Sequence, residues 1–115
     1  MFADIAVALS EMANIRIVEH KYADAMVLLE QTIAISRASL GEAHPNVGIH
    51  LRDLARVLLA QSRYEDAVSM FSKAAQILEK ALGSKHPDVA SVYIGQAVCL
   101  KNIKSSMGLS NLWYL

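Results

Sequence analysis

Apolar residues recur at spacings of three and four along most of this chain, which is the pattern of helices that bury one face. The clearest case is a helix A over residues 45–61, followed after a short turn by a helix B that begins at Ser62–Glu65 and continues up to Gly83. Two helices joined by so short a turn pack antiparallel. The apolar positions are Val47, Leu51, Leu54, Ala55, Leu58 and Leu59 in helix A, and Ala67, Val68, Met70, Phe71, Ala74, Ile77, Leu78 and Leu82 in helix B.

The same pair of helices returns with a period of 42 residues. The segment Leu40–Pro45 reads Leu-Gly-Glu-Ala-His-Pro and reappears as Leu82–Pro87, Leu-Gly-Ser-Lys-His-Pro, so that His86 follows His44 by 42 positions. Identities at this spacing end with the pair Leu58 and Leu100. The period divides the chain into units of about 3–44, 45–86 and 87–104, the last of which contains only a helix A.

Each Leu-Gly-x-x-His-Pro segment is predicted to end one helix and begin the next. A glycine after the last apolar position suits the left-handed residue that ends a helix, and a proline suits the first turn of the following helix. The histidine before each proline is disfavoured in the α region. At the start of helix B, Ser62 and Glu65 have the spacing of a capping box.

Together these patterns predict an all-α fold, an antiparallel helix-hairpin solenoid of two full repeats plus helix A of a third. The array would occupy residues 1–104, and an irregular apolar tail would occupy residues 105–115. Stacked units bury the apolar surface that a single hairpin leaves uncovered, and end units normally present a polar outer face. Because the sequence shows no such end unit, we expect a piece of a longer solenoid or an oligomer.

The composition of the chain limits the kinds of partner and the cellular compartment that we expect. Lys plus Arg and Asp plus Glu number 11 each, so the chain lacks the basic field that nucleic acid or an anionic membrane would require. Cys99 is the single cysteine and cannot form an internal disulfide, and no uninterrupted apolar stretch approaches the ~18 residues of a membrane span. We therefore expect a cytoplasmic protein that does not enter a membrane.

The histidines and the cysteine do not indicate an enzyme. They lack metal-ligand spacing, so no metal site or cofactor is expected. His44 and His86 are interpreted as linker or capping residues, and His50 as a solvated one. Cys99 has no identifiable base or orienting partner, so we interpret it as a small buried apolar residue.

The second unit resembles a tetratricopeptide repeat (TPR). Its residues at that family's large and small positions are Leu51, Leu54, Ala55, Leu58, Ala67, Phe71 and Ala74. The period, the Leu-Gly-x-x-His-Pro linker and the run Arg63-Tyr64-Glu65-Asp66-Ala67 are similar to the kinesin light chain type of repeat. The resemblance covers roughly Ala3 to Lys101. It departs from the pattern at Arg16, which stands where unit two has Leu58.

The resemblance implies a protein-binding scaffold, since TPR arrays hold an extended peptide or a partner helix in a concave groove lined by their A helices. The groove positions implied here are Asn14, Arg52, Arg56, Lys101 and Asn102. Arg52 and Arg56 lie four residues apart, hence on one helix face, and a guanidinium can hold a carboxylate through two hydrogen bonds. The expected partner is a protein or peptide with an acidic segment. The alternative interpretation is that these are ordinary solvated side chains.

The apolar tail supports an alternative function, that of a structural element that associates with itself. Its apolar residues Leu109, Leu112, Trp113, Tyr114 and Leu115 follow neither the repeat nor a sustained helical period. They could fold back over the uncovered face of the third helix A as a cap, or bind a second copy to give a homo-oligomer. A third interpretation is an alternative exon or a truncation. We rank the cap first and assembly second.

Overall fold

The computed structural model describes residues 2–108, which form five α-helices. Their bounds are α1 Phe2–Val18, α2 Tyr22–Leu40, α3 Pro45–Ala60, α4 Tyr64–Leu82 and α5 Pro87–Ser106. The described residues contain no β-strand, and each helix packs against the next one in the chain. The expected all-α solenoid is therefore confirmed, with two complete hairpins followed by a further helix A.

The helices lie in two layers. The A helices α1, α3 and α5 form one layer and the B helices α2 and α4 form the other, and α3 also touches α5 directly. The described part of the chain is accordingly an elongated slab, with extents of 54 × 33 × 18 Å. This arrangement places the A helices side by side along one face.

Small residues allow the helices to approach one another closely. Five fully buried alanines serve this purpose, namely Ala13, Ala25, Ala55, Ala67 and Ala74. Between α4 and α5 the small residue is Gly95, where a Cβ atom would lie 2.5 Å from Cε1 of Phe71. Phe71 is 1% exposed, and burial of such a side chain contributes about 1.5–3 kcal/mol. Its ring fits against α5 only because position 95 carries no side chain.

The two joints between units have the same backbone conformation. Gly41 has φ 90° and ψ 156°, and Gly83 has φ 89° and ψ 156°. The sequence predicts the positive φ, but the ψ values lie in an extended region that essentially only glycine adopts, rather than in the left-handed helical one. His44 and His86 are extended, as predicted, and each Nδ1 accepts a 3.1 Å hydrogen bond from the backbone N–H two residues later. Each histidine is therefore the N-cap of the next helix.

The turn inside each hairpin corrects the sequence prediction. Ser62 lies past the end of α3 with φ 61°, and the N-cap residue of α4, Arg63, makes no side-chain capping bond. The N–H groups of Ser62 and Arg63 donate to the carbonyls of Leu59 and Leu58, both at 2.9 Å, which is a Schellman motif. The predicted capping box is wrong, because Ser62 belongs to the end of α3 rather than to the start of α4.

The last described helix is longer than its counterpart in unit two. α5 runs to Ser106, four residues past Asn102, the equivalent of the last residue of α3, and Met107 and Gly108 form a turn after it. The tail residues Leu109, Leu112, Trp113, Tyr114 and Leu115 lie outside the described residues. No helix in the described part has the length and apolar character needed to cross a lipid bilayer.

Candidate functional site

A cleft between the A helices α1 and α3 contains two cavities. The first, about 320 Å³, is lined by Ala6, Val7, Ser10 and Glu11 of α1, Ser36, Ser39 and Leu40 of α2, and Asn46 and His50 of α3. The second, about 250 Å³, is lined by Asn14 and Ile17 of α1, Tyr22 of α2, and Asp53, Arg56, Val57 and Ala60 of α3. We call them the His50 cavity and the Arg56 cavity, and together the α1–α3 cleft.

The helical period explains why these residues share one face. Val7, Ser10, Glu11 and Asn14 follow one another at spacings of three, one and three residues on α1, and their equivalents 42 residues later on α3 are Ile49, Arg52, Asp53 and Arg56. Positions three and four apart lie on the same side of a helix. Three of the four positions are polar in both α1 and α3, whereas α5 has Ile94, Gly95 and Val98 at those three.

The structure brings together two of the predicted groove residues, Asn14 and Arg56. Both are exposed and line the Arg56 cavity from opposite helices. The Arg56 guanidinium forms neither a hydrogen bond nor an ion pair with any residue between 2 and 108. Beside it, burial raises the pKa of the Asp53 carboxyl, although the charges of Arg52, Arg56 and His50 oppose the rise. The cavity thus holds an amide, a half-buried carboxyl and an arginine that is open to a ligand.

Arg52, another predicted groove residue, has partners within the chain itself. Its side chain is only 14% exposed and reaches the neighbouring A helix, where Nη1 lies 3.3 Å from both Oδ1 of Asp88 and Oγ of Ser91. Nη2 lies 3.6 Å from Oδ1 of Asp53. The positive charge of Arg52 is therefore balanced by two carboxylates of the chain itself. Arg52 and Arg56 share a helix face, but only Arg56 presents its guanidinium to the cleft.

The other two predicted groove residues lie apart from the cleft. Lys101 and Asn102 belong to the last turns of α5 and line neither cavity. Lys101 is exposed, whereas the side-chain amide of Asn102 donates a 2.8 Å hydrogen bond to the carbonyl of Val98 in its own helix.

The His50 cavity contains polar residues that the sequence analysis did not select for the groove. Glu11 and Ser10 of α1 face His50 and Asn46 of α3 across it. His50 is half-buried, contrary to its interpretation as a solvated residue, and burial lowers its pKa while the Asp53 carboxylate acts in the opposite direction. Its Nδ1 is buried without a partner among the described residues. Its equivalents Ala8 and Val92 are apolar, and Val92 is fully buried whereas Ala8 is exposed.

Cys99 is buried at the place that Val57 occupies in unit two, and burial raises the pKa of its thiol, in keeping with its interpretation as a small apolar residue. Among residues 2–108, no group of three or more His, Cys, Asp and Glu side chains is arranged to hold a metal ion.

The repeated helical hairpins, with small residues at the same position in each, are typical of a helical repeat family. The sequence matches the tetratricopeptide repeat over residues 4–80 and again over residues 51–102. The chain belongs to the TPR family. Members of this family generally mediate interactions between proteins, and the repeat is typically a scaffold rather than an enzyme.

A solved structure gives the type of repeat. The chain superposes with a TM-score of 0.71 and 24% sequence identity on a crystal structure of nearly identical TPR-like repeats assigned to a kinesin light chain of Podosopora anserina. The match covers 95% of this TPR chain and 51% of the other, so this chain spans about half of that protein's length. The expected kinesin light chain-like form of the repeat is confirmed at the level of the fold. No curated protein matches the sequence.

Proposed function

We propose that this TPR chain is a non-enzymatic binding module that holds an extended peptide of a partner protein in the α1–α3 cleft. The observation that carries the proposal is the Arg56 cavity, which is lined by Asn14 of α1 and by Arg56 of α3, whose guanidinium has no partner among the described residues. An amide can bond both the N–H and the C=O of a peptide backbone, and arginine can hold a carboxylate through two hydrogen bonds. The pair therefore suits a backbone together with an acidic side chain.

The dimensions of the cleft fit a short extended segment. From His50 to Ala60 the α3 wall rises about 15 Å, which matches four to five residues of extended chain at about 3.4 Å each. Glu11 in the His50 cavity adds a carboxylate near the other end. We infer that the partner segment carries an acidic residue toward Arg56 and a basic or hydroxyl-bearing residue toward Glu11.

Of the predicted groove residues, Asn14 and Arg56 would contact the peptide directly, whereas Arg52 would not. Because Arg52 is committed to Asp53 and Asp88, it supports the wall of the cleft and contributes little net positive charge to a ligand. Lys101 and Asn102 could meet only a ligand that extends along α5. The free thiol of Cys99 is consistent with the expected reducing, cytoplasmic compartment.

Peptide selection tests the proposal. The chain is applied to an array of random peptides of about nine residues, long enough to fill the cleft, and the selected charges are compared between variants. For Arg56→Glu we expect the preference for acidic residues to be lost or reversed, with the helix content unchanged. Lys85→Glu makes the same change of charge in the exposed joint after α4 and should leave the selection as it was. An unchanged selection by Arg56→Glu, or an equal loss in Lys85→Glu, would contradict the proposal.

A second candidate function is self-association through the ends of the array. It is favoured by large apolar side chains that are exposed on both end helices, among them Ile5 and Ile15 on α1 and Tyr93 and Leu100 on α5. Light scattering on the intact chain and on a chain that ends at Gly108 tests this candidate and the part of the tail. A monomeric mass for both would remove it, and a mass that falls only on truncation would assign association to the tail.

A further inference from the structure

The His50 cavity has a counterpart one unit further along the array, between α3 and α5. Ser10 and Asn46, which line the cavity, are equivalent by the 42-residue period to Arg52 and Asp88. Those two residues form the ion pair between α3 and α5, with Nη1 of Arg52 3.3 Å from Oδ1 of Asp88. The counterpart therefore holds a guanidinium group, which the chain itself supplies.

Two small side chains leave the His50 cavity open. Ser10 stands where the next unit has Arg52, and Ser36 stands where it has Leu78. The Arg52 side chain is 14% exposed and Leu78 is 0% exposed, so both larger side chains are packed inside the molecule. Ser36 is 2% exposed although it lines the cavity, so the cavity extends into the interior. Its volume of about 320 Å³ thus lies where the next unit has an arginine and a leucine.

The polar groups around the cavity also match those of the counterpart. Glu11 is equivalent to Asp53, whose Oδ1 lies 3.6 Å from Nη2 of Arg52. Asn46 in place of Asp88 removes one negative charge but keeps a side-chain oxygen as an acceptor. The Glu11 carboxylate makes neither a hydrogen bond nor an ion pair in the described part of the chain. The cavity therefore has a carboxylate at the corresponding place but lacks the arginine.

His50 adds an acceptor to the cavity. Its Nδ1 is buried and has no hydrogen-bond partner among the described residues. Burial lowers the pKa of the imidazole, so the ring is neutral at neutral pH, and with the proton on Nε2 the other nitrogen, Nδ1, can accept a hydrogen bond. A buried acceptor without a partner is costly, and a donor from a ligand would satisfy it.

This set of acceptors suits a guanidinium better than an ammonium group. Carboxylate, amide and imidazole acceptors line the cavity from two helices, α1 and α3. A guanidinium carries five N–H donors in one plane, whereas an ammonium carries three on a compact, strongly hydrated group. In the counterpart one guanidinium reaches both A helices, with Asp53 on α3 and with Asp88 and Ser91 on α5. A hydroxyl-bearing side chain would leave the charge of Glu11 unbalanced.

We propose that the His50 cavity binds the guanidinium of an arginine in the partner peptide, with Glu11 as its charge partner and Asn46 and His50 as further acceptors. The inference rests on the proposed function, because it names the residue that the α1–α3 cleft selects at the end away from Arg56. Residues 50 and 56 lie about 9 Å apart along α3, which is two to three residues of extended chain. The preferred peptide therefore carries an arginine two or three positions from an acidic residue.

Selection from the array of random peptides measures this preference separately from the acidic one. We expect the unchanged chain to enrich arginine over lysine, and Glu11→Gln to lose that enrichment while Arg56 still selects acidic residues. Ser10→Arg supplies a guanidinium in the manner of Arg52 and should also remove the arginine preference. Glu65→Gln removes an exposed carboxylate of α4 that lines neither cavity and should leave both preferences unchanged. In a selected peptide, replacement of the arginine by its uncharged isostere citrulline should weaken binding about tenfold or more.

Thermal unfolding of the chain without peptide gives a second measurement. The guanidinium introduced by Ser10→Arg should pair with Glu11 and raise the midpoint of unfolding, and the rise should be smaller in a Glu11→Gln background. Ser10→Gln places an uncharged polar side chain at the same position, and its effect should not depend on Glu11. Circular dichroism of each variant checks that the helix content is unchanged.

Four results would contradict the inference. Selection of acidic residues without enrichment of arginine would remove this inference and leave the proposed function standing. An arginine preference that survives both Glu11→Gln and Ser10→Arg would place the arginine elsewhere on the chain. A midpoint of Ser10→Arg that does not depend on Glu11 would show that the cavity does not hold a guanidinium against that carboxylate. Selection of no peptide at all would contradict the proposed function and this inference with it.

Discussion

Arg52 on α3 and Asp88 on α5 form an ion pair between two A helices, with Nη1 of the arginine 3.3 Å from Oδ1 of the aspartate across 36 residues of sequence. The arginine side chain is 14% exposed and the aspartate side chain 37%. An ion pair at this depth is screened by water less than a surface pair. The pair therefore helps to fix α5 beside α3.

The first prediction concerns this pair. Arg52→Met should lower the free energy of unfolding by roughly 1–2 kcal/mol, because the charge-assisted contacts to Asp88 and Ser91 are lost while the aliphatic packing is kept. Urea denaturation followed by circular dichroism measures the change. The matched control is Arg63→Met, which removes an exposed pair with Asp66 and should cost less than about 0.5 kcal/mol. Equal losses in both variants would show that the depth of the Arg52 pair has no effect.

The second prediction concerns the contact between Gly95 and Phe71. Gly95→Ala should destabilise the fold by about 1–3 kcal/mol, despite the better helix propensity of alanine, because the added methyl group overlaps the Phe71 ring. In a Phe71→Leu background the same substitution should cost less, and the difference is read from a double-mutant cycle of thermal or urea unfolding.

Gly48→Ala is the control for the second prediction. A methyl group there would lie 2.7 Å from Cγ of the buried Leu78, a less severe overlap than the one with the Phe71 ring, and the equivalent positions of α1 and α5 already carry alanine. We expect a smaller loss than for Gly95→Ala. Additive effects of Gly95→Ala and Phe71→Leu would contradict the proposed overlap.

The third prediction is a pH dependence that arises at His50. Burial lowers the pKa of His50 in the folded chain below its ordinary value of 6.5, so the unfolded chain binds the proton more readily. The contribution of His50 to stability is therefore complete above about pH 6.5 and is lost as the pH falls through that value toward the folded pKa. The Asp53 carboxylate raises the pKa of His50 and the Arg52 charge lowers it. Burial is the largest of the three effects, so the pKa of His50 stays below its ordinary value.

His50→Gln isolates this effect. Unfolding free energies are measured at about pH 8 and about pH 5.5, and the loss between them should be smaller in His50→Gln than in the unchanged chain. His20→Gln, at an exposed histidine in the turn before α2, should keep the full loss. An undiminished loss in His50→Gln would assign the pH dependence to other groups.

The fourth prediction is a stabilising substitution in the Schellman turn. Ser62 has φ 61°, which costs a residue with a side chain about 1 kcal/mol and costs glycine little. Ser62→Gly should therefore raise the free energy of unfolding by about 0.5–1 kcal/mol. The gain is reduced slightly because the substitution also removes the exposed hydrogen bond that the Tyr64 hydroxyl donates to Oγ of Ser62. Ser84→Gly places glycine at an exposed serine of a joint without positive φ and should not stabilise. Both are measured by thermal unfolding, and a loss of stability in Ser62→Gly would contradict the prediction.

The elements of the fold that repeat could be predicted from the sequence. The 42-residue period, the helix spacing and the Gly-x-x-His-Pro joints determine local structure through backbone sterics, which act over a few residues. The Ser62 turn was predicted wrongly because a serine with a glutamate three residues later fits a capping box as well as it fits a helix end. Only the position of the last turn of α3 distinguishes the two.

The candidate site was less predictable, because charge partners come from different units. Arg52 and Arg56 look alike in sequence, since both are arginines on one helix face. Asp88 lies 36 residues beyond Arg52, and nothing local indicates that it takes one of the two guanidinium groups. Of the two arginines predicted to line the groove, only Arg56 is therefore without a carboxylate partner in the described part of the chain. His50 and Glu11 meet across the cleft for the same reason, through the stacking of α1 beside α3.

The near-identical dihedral angles at Gly41 and Gly83 have a mechanical consequence. The two glycines set the direction in which α3 and α5 leave the preceding helix B, whereas the packing of each helix on its neighbours sets the spacing of the A helices. α5 is about 30 Å long at about 1.5 Å per residue, and a rotation of about 10° at Gly83 would swing its far end by about 5 Å. The backbone angles at Gly83 therefore determine where the far end of α5 lies, and the packing of α5 on α4 holds it there.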